Sequence, residues 1–406
     1  MFSISLKKLS SRYTEGIDER MGSISQEKLS VLRERPFWIH AVSVGEVQAA
    51  SALINQMRAD GFSAPIVLST TTETGKAMAM RLSRGLFDLH IYYPWDSRKY
   101  VRAALDTINP RAFVLMETEI WPNMLWELEA RHIPVFLANG RISTRTWKRI
   151  QKGVIKKLFT QLFGSFAALF VREKTDVAKL LQLGIAKEKI VFTGNFKIDA
   201  LLERVKPEIK TKWQEILQAD KGPLYIAGST HTGEDELVVY AFEKLKTVQP
   251  KARLILAPRH PERTDAIYAQ LKDKFSVCRL SALQENFEIV IIDKIGVLFE
   301  LYSVAESAFV GGSFTDDGGQ NILEPAVWGV PVEYGPHMED FEEASTAFLS
   351  RGISRQLQSA DDLAQAWIEL ATGEAKRKEI AKRCKSYFDE NAGAAKKCWQ
   401  GIKKQL

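Results

Sequence analysis

Short apolar runs alternate with amphipathic helical stretches along this chain, and the pattern runs through twice. In the first half the runs are Phe37–Val42, Ile66–Ser69, Leu89–Tyr92, Ala112–Met116, Val135–Ala138, Ala167–Val171 and Ile190–Thr193. Amphipathic stretches such as Val47–Arg58, Gly75–Arg84 and Thr175–Leu183 separate them. Ala200–Ala219 is polar and helical, contains Pro207, and reads as a linker with an entry helix. The pattern restarts with Leu224–Ala227, Arg253–Ala257, Glu288–Ile292, Ala308–Val310 and Pro331–Tyr334; from Ala375 the chain is Lys-rich and helical. Strand–helix alternation with wholly apolar strands requires parallel sheets covered on both faces. The expected fold class is α/β: two Rossmann-like, doubly wound domains at 1–202 and 203–375, with an inter-domain cleft. A helical segment, 376–406, is expected to pack back toward the first domain. In such folds the ligand lies at the carboxyl ends of strands, so the loops leaving them carry the chemistry.

Composition narrows the class. A chain of 406 residues that is 45% hydrophobic and 26% charged can bury two cores and is neither disordered nor collagen-like. The longest uncharged stretch, Leu158–Val171, is 14 residues, short of the roughly 20 that span a bilayer. The N-terminus lacks the apolar core and cleavage site of a secretory signal. Cys278, Cys384 and Cys398 have no metal-ligand or redox spacing and read as reduced thiols.

Charge is divided unevenly. Residues 1–205 carry 30 Lys+Arg against 20 Asp+Glu, net +10; the remainder carries 26 against 30, net −4. Basic halves face anions, although an uneven solvated surface accounts for the same numbers. Arg141–Lys157 holds seven basic residues and no acid. Arg141, Arg145, Lys148, Lys152 and Lys156 fall at i, i+4, i+7, i+11 and i+15, which puts them on one face of a helix, with Ile142, Trp147, Ile150, Val154 and Ile155 off that stripe to pack. Such a face suits phosphates or a membrane surface. Phe2, Leu6, Leu9 and Tyr13 share a second helical face, beside Lys7, Lys8 and Arg12, that reads as interfacial or as a frayed end.

Several strand-end loops have reactive compositions. Phe309-Val310-Gly311-Gly312-Ser313 leads to Gly318-Gly319-Gln320-Asn321-Ile322-Leu323-Glu324-Pro325. Its Gly pairs allow backbone to approach a ligand and leave N–H groups pointing outward, including those of Gly312 and Ser313. A helix starting near Asn321 would present its positive end to a phosphate, and Glu324 could accept from both hydroxyls of a ribose. Two ordinary Gly turns would look the same. In Ala227-Gly228-Ser229-Thr230-His231-Thr232-Gly233-Glu234, Ser229 is a ligand contact or a plain N-cap. Arg259, after Pro258, could pair with a phosphate in a forked geometry. In the first half, Glu46 in His40-Ala41-Val42-Ser43-Val44-Gly45-Glu46 is a candidate general base, or a first-turn acid that favours the helix dipole. Met116-Glu117-Thr118-Glu119 places two acids after an apolar strand, and Lys197 follows another. No zinc spacing, Walker A loop or GxSxG elbow occurs. Asp316-Asp317 sits between Gly pairs and reads as a turn.

Together these loops resemble the 3-deoxy-D-manno-octulosonic acid (Kdo) transferase family of lipopolysaccharide synthesis. The matching segments are HAVSVGE at 40–46, TTTETG at 70–75, METEIWPN at 116–123, IPVFLANGRIS at 133–143, TGNFKID at 193–199, AGSTHTGE at 227–234, APRHPER at 257–263 and FVGGS…GGQNILEPAVWGVPVEYGPH at 309–337. The resemblance implies the GT-B fold, with the acceptor on the first domain and the nucleotide sugar on the second. It implies an inverting transfer of Kdo from CMP-Kdo to a lipid A precursor (lipid IVA), with no cofactor and no metal in the transfer step. It makes Glu46 the general base and Glu117 and Lys197 transition-state stabilisers. Pro258, Arg259, Asn321, Ile322, Leu323, Glu324 and Ile295-Gly296-Val297 become CMP contacts. Val297 stands where many members carry an acid, leaving backbone contacts there, and Gln320 stands where a His is usual. The phosphorylated glycolipid acceptor would meet Arg141, Arg145, Lys148 and Lys152. Peripheral contact with the anionic cytoplasmic face of the inner membrane is implied, without the family's apolar N-terminal anchor. A UDP-sugar 2-epimerase on the same two-domain frame is the competing enzyme. Nucleic acid is not expected, because only Trp147 interleaves the basic stripe.

Overall fold

The computed structural model describes residues 15–82 and 85–406. The face Phe2–Tyr13 and Arg84, at the end of one expected helix, lie outside the described residues. The chain forms two compact units, Met1–Ala200 with Asn391–Leu406, and Leu201–Glu390. The terminal segment expected as one piece therefore divides: helix Glu374–Asn391 closes the second unit, and helix Ala394–Lys403 belongs to the first.

Unit 1 is built on β1 (Phe37–His40), β2 (Ile66–Thr70), β3 (Leu89–Tyr92), β4 (Ala112–Met116), β5 (Val135–Gly140), β6 (Ala168–Val171) and β7 (Ile190–Phe192). All are parallel, in the order β3-β2-β1-β4-β5-β6-β7. Successive side chains of a strand point to opposite faces, and both faces are apolar here. Trp38, Phe113 and Leu115 pack with Val101, Leu105 and Leu125 on one side. Phe37, Ile39 and Val114 pack with Leu53, Trp399 and Ile402 on the other. The last two residues bring in helix Ala394–Lys403, whose first N–H groups at Gly393 and Ala395 donate to Asp199 at 2.7 Å each. A Cβ on Gly401 would stand 2.3 Å from Phe170, so glycine is what lets this helix lie against the sheet.

Unit 2 repeats the plan with β8 (Leu224–Thr230), β9 (Arg253–Pro258), β10 (Val277–Arg279), β11 (Ile289–Ile291), β12 (Ala305–Val310), β13 (Val332–Tyr334) and β14 (Ser354–Gln356). The order is β10-β11-β9-β8-β12-β13-β14, again all parallel. Both sheets reverse their winding beside the first strand, between β1 and β4 and between β8 and β12. Loops diverge at such a point and open a crevice. The expected strands appear with ends shifted by up to three residues. β10 and β14 were not expected: each has three residues at a sheet edge, and β14 is not buried. Pro207 begins helix Pro207–Ile216 at a position where its missing N–H costs nothing.

Glu333 is buried (3% exposed) on β13 and takes a hydrogen bond from Ser307 Oγ on β12. Burial pushes its carboxyl from 4.5 up to about 7, against that hydrogen bond and the charge of Arg355. The fold therefore holds the proton more tightly than the unfolded chain does. Its contribution is intact below pH 4.5 and is lost as pH rises through 7, on the order of 3 kcal/mol in total. Thermal melts at pH 5 and pH 8 check this. Glu333→Gln should lose less stability than the parent between the two and melt higher at pH 8; an equal loss in both proteins would contradict the assignment.

Candidate active-site loops

In unit 1, helix Val44–Ala59 starts from the end of β1 with Ser43 as N-cap. Ser43 Oγ accepts from Glu46 N–H at 3.5 Å and donates to Glu46 Oε1 at 3.1 Å, while Glu46 Oε2 accepts from Val42 N–H at 2.9 Å. This reciprocal capping fits the first-turn reading of Glu46. It also holds a buried carboxylate (6% exposed) at the strand end. Burial pushes Glu46 up to about 7, with further push from the charges of Glu117 and Glu119 and opposition from Val42 N–H and Ser43. Glu117 follows β4, the neighbour of β1 at the winding reversal. Its φ of 53° is left-handed, a strained conformation for a residue with a Cβ, yet its N–H stays in register on Ala138 O at 2.9 Å. Its Oε1 lies 3.2 Å from Lys197 Nζ. Lys197 Nζ in turn lies 3.5 Å from where a Cβ on Gly45 would stand, over the turn that carries Glu46. The structure thus brings Glu46, Glu117 and Lys197 together.

The basic stripe is not one helix face. Helix Thr144–Ile150 ends, Lys152 is extended (φ −97°, ψ 120°), and Gly153–Gly164 starts a second helix. Arg141 precedes both, pinned through its backbone by Thr118 Oγ1. The side chain of Arg145 lies outside the described residues. Lys148, Lys152 and Lys156 are exposed. Ile142 and Ile150 are buried as expected, but Val154 (85% exposed) and Ile155 (46%) face out beside the lysines. A glycine at φ +45° is what breaks the periodicity.

In unit 2 the outward-pointing N–H groups expected of Gly312 and Ser313 are already taken. Glu234, at the start of helix Glu234–Val248, accepts from Gly312 N–H at 2.7 Å and His231 N–H at 2.8 Å through Oε2. Through Oε1 it accepts from Ser313 N–H at 3.0 Å and Phe314 N–H at 2.9 Å. Ser313 Oγ is also internal, donating to Val310 O and accepting from Gly335 N–H. These two residues therefore shape the loop, and a buried side chain fills the anion-binding nest. The helix expected at Asn321 is a four-residue turn, Leu323–Ala326, capped locally by Asn321 Oδ1 on Leu323 N–H. It has too few aligned peptides to supply a macrodipole. Glu324 is half-buried, raised by burial, and held by Arg204 Nη1 at 3.6 Å. Arg204 itself lies 3.7 Å over the Phe299 ring.

Ser229 sits at φ 58° where the β8–β9 register shifts, a bulge that turns the strand end. Pro258 ends β9 and is buried, and Arg259 is exposed directly after it, its N–H on Thr230 O at 3.0 Å. Ile295 (87% exposed) and Gly296 (φ +88°) form the turn after β11, and Val297 is half-buried. Thus Ser229, Arg259 and the Asn321–Glu324 turn leave strands β8, β9 and β12, which are adjacent.

Sequence reasoning missed the residues that brace these loops. Asn139, at φ 54° in a second register shift, accepts from Phe196 N–H at 3.0 Å and so sets the turn before Lys197. Asp235 takes Thr230 Oγ1 at 2.6 Å and pairs with Arg263, which also donates to Thr230 O at 2.9 Å. Asn139 offered one signal, a polar residue at the end of an otherwise apolar run, whereas Asp235 and Arg263 sit among other polar and charged residues and offered none.

Comparison with known proteins follows the same lines. The family model described as 3-Deoxy-D-manno-octulosonic-acid transferase (kdotransferase) matches residues 15–200. A 3-deoxy-D-manno-octulosonic acid transferase of Haemophilus influenzae is 32% identical over 98% of this chain and 93% of its own. Among solved structures, the UDP-GlcNAc 2-epimerase of Neisseria meningitidis aligns with a TM-score of 0.64 at 15% identity, over 91% of this chain and 100% of that one. A glycosyltransferase of Rickettsia africae aligns with a TM-score of 0.59 at 15% identity, over 92% and 99%. The two structural likenesses establish a GT-B fold.

Replacing Glu234 by Gln keeps its shape but turns an amide toward N–H donors. At roughly 1–3 kcal/mol for each unsatisfied buried donor, Glu234→Gln should cost at least about 3 kcal/mol. For a unit of this size that is a fall in melting temperature of roughly 6–12 °C. A melting temperature unchanged in calorimetry would contradict the role given to this carboxylate.

Proposed function

Since this chain belongs to the 3-deoxy-D-manno-octulosonic acid transferase family, glycosyltransferases of lipopolysaccharide biosynthesis, we propose that it moves Kdo from CMP-Kdo to a hydroxyl of a lipid A precursor, with inversion and without a metal. The observation that carries this reading is Glu46: a buried carboxylate at a strand end, pushed up to about 7 and beside an ion pair. A general base works best with a pKa near the operating pH. The Glu46 carboxylate takes the proton from the acceptor hydroxyl as its oxygen bonds to the anomeric carbon. The bond from that carbon to the CMP phosphate breaks, and the electron pair leaves with the phosphate. Positive charge builds at the sugar and negative charge on the leaving group.

In this mechanism unit 2 holds the donor. Arg259, exposed at the end of β9, pairs with the phosphate, and Glu324, steadied by Arg204 and by the side chain of Asn321, accepts from the ribose. Pro258, Ile295, Gly296, Val297, Ile322 and Leu323 provide backbone and apolar contacts to the nucleotide, and Ser229 adds a hydroxyl. Lys197 and Glu117 steady the charges that develop around the acceptor. Lys148 and Lys152, with Arg141 and Arg145, attract the acceptor's phosphates and the anionic cytoplasmic face of the inner membrane, where the protein acts peripherally. Among the described residues no helix is long and apolar enough to cross a membrane. The epimerase likeness is one of fold at 15% identity and does not favour a second reading.

Purified Glu46→Gln should bind CMP with unchanged affinity and lose transfer by about a thousandfold or more. Calorimetry with CMP and counting of labelled Kdo on a tetra-acylated, bisphosphorylated disaccharide lipid check the two halves. Normal turnover by the variant would remove Glu46 as the base.

A further inference from the structure

The far end of the chain holds the turn that presents Lys197. Phe196 N–H donates to Asn139 Oδ1 at 3.0 Å, and Lys197 N–H donates to Asn195 Oδ1 at 3.0 Å. Asp199 follows in the first turn of helix Phe196–Arg204. It accepts from Gly393 N–H through Oδ1 and from Ala395 N–H through Oδ2, each at 2.7 Å. Those donors open helix Ala394–Lys403, and Gly393 is 194 residues away in sequence. The chain leaves unit 1 after Ala200 and re-enters it at Asn391, so this carboxylate ties the point of exit to the point of return.

The helix Ala394–Lys403 cannot cap itself. Its N-cap is Gly393 at φ +79°, with no side chain to offer the open N–H groups. Asp199 supplies the acceptor, at the end of the helix where a negative charge is favoured. The other end is fixed without Asp199. Trp399 Nε1 donates to Asp60 Oδ2 at 2.9 Å, Lys403 pairs with the same carboxylate, and Cys398, Trp399 and Ile402 are buried in the core beside the sheet. The helix is a fixed part of unit 1 against which the Lys197 turn can be held.

A second contact points the same way. Gly194, at φ +98°, begins the turn, and a Cβ on it would stand 3.5 Å from the Cβ of Ala394 and 3.4 Å from Asn391 O. Phe196 shares its core with Ala394, Ala395 and Cys398. Gly194, Phe196 and Asp199 thus surround Lys197 in sequence and meet one segment. Lysine carries its charge on a flexible four-carbon stem, so where Nζ can go depends on where the backbone is put. Here Nζ lies 3.2 Å from Glu117 Oε1.

We propose that helix Ala394–Lys403 is a positioning element of the transfer reaction, with Asp199 as the positioning residue through which it holds Lys197 against Glu117. The inference rests on the role given above to Lys197.

The test measures kcat and donor KM for Asp199→Asn, Lys197→Met and the double variant, with labelled Kdo and the lipid acceptor at a temperature where each is folded, and CMP binding by calorimetry. Lys197→Met should lose kcat by about a hundredfold. Asp199→Asn keeps the shape but turns an amide toward one of the two N–H donors. It should lose kcat by about tenfold, with CMP affinity and donor KM within about twofold of the parent. Because Asp199 acts through Lys197, the double variant should be within about threefold of Lys197→Met alone. Losses that multiply in the double variant would make Asp199 a structural cap and overturn the inference, as would parent kcat in Asp199→Asn. If Asp199→Asn does not fold, Asp199→Ser, which keeps one acceptor for the helix, carries the same comparison. Parent kcat in Lys197→Met would instead remove Lys197 from the mechanism, and the inference with it.

Discussion

The end of a buried parallel strand leaves backbone N–H groups with no ladder partner, and in both units a glutamate in the first turn of the next helix answers them. Each follows a glycine, Gly45-Glu46 and Gly233-Glu234, and each comes after the first strand of its sheet. The two carboxylates are used differently. Glu234 gives both oxygens to four N–H groups and closes its nest. Glu46 takes one N–H and one hydroxyl, is crowded by Glu117 and Glu119, and keeps lone pairs in reserve. Saturation makes the first a brace for its loop. The shortfall, together with burial, leaves the second able to take a proton near neutral pH.

The winding reversal turns that local difference into a site. β1 and β4 are neighbours although far apart in sequence, so the loop carrying Glu117 arrives beside the one carrying Glu46. Lys197 reaches the same place because Asn139, in a bulge of β5, captures the N–H of Phe196. In unit 2 the corresponding pair is β8 and β12, which places His231 against the Gly312 turn. Glycine matters at these points by leaving room for side chains that arrive from elsewhere, more than by exposing its own N–H.

Much of this was legible in the sequence because strand and helix periods are strong local signals. Apolar runs such as Ala112–Met116 are buried throughout, and the charged loop residues stand out against them. The failures have physical causes. β14 has no apolar run to mark it, because it is an edge strand that is not buried. The stripe from Arg141 to Lys157 assumed one unbroken helix, and the break at Lys152-Gly153 is a φ/ψ choice that side-chain spacing does not encode. The glycine pairs of the 311–319 loop looked like ligand-binding backbone, whereas Glu234, 78 residues away in sequence, occupies Gly312. A distant buried acid competing for the same N–H groups leaves no trace in the local motif.

The proposed transfer depends on a carboxyl group of unit 1 that must be ionised to work and whose surroundings resist ionisation. Its most direct measurement is the pH dependence of kcat/KM, in the parent and in Glu117→Gln. Activity should rise with pH through an inflection at about 7, as Glu46 loses its proton, and removing the neighbouring charge should move that inflection toward lower pH. An inflection in the ordinary carboxylate range, or one near 7 that ignores the loss of Glu117, would contradict the claim.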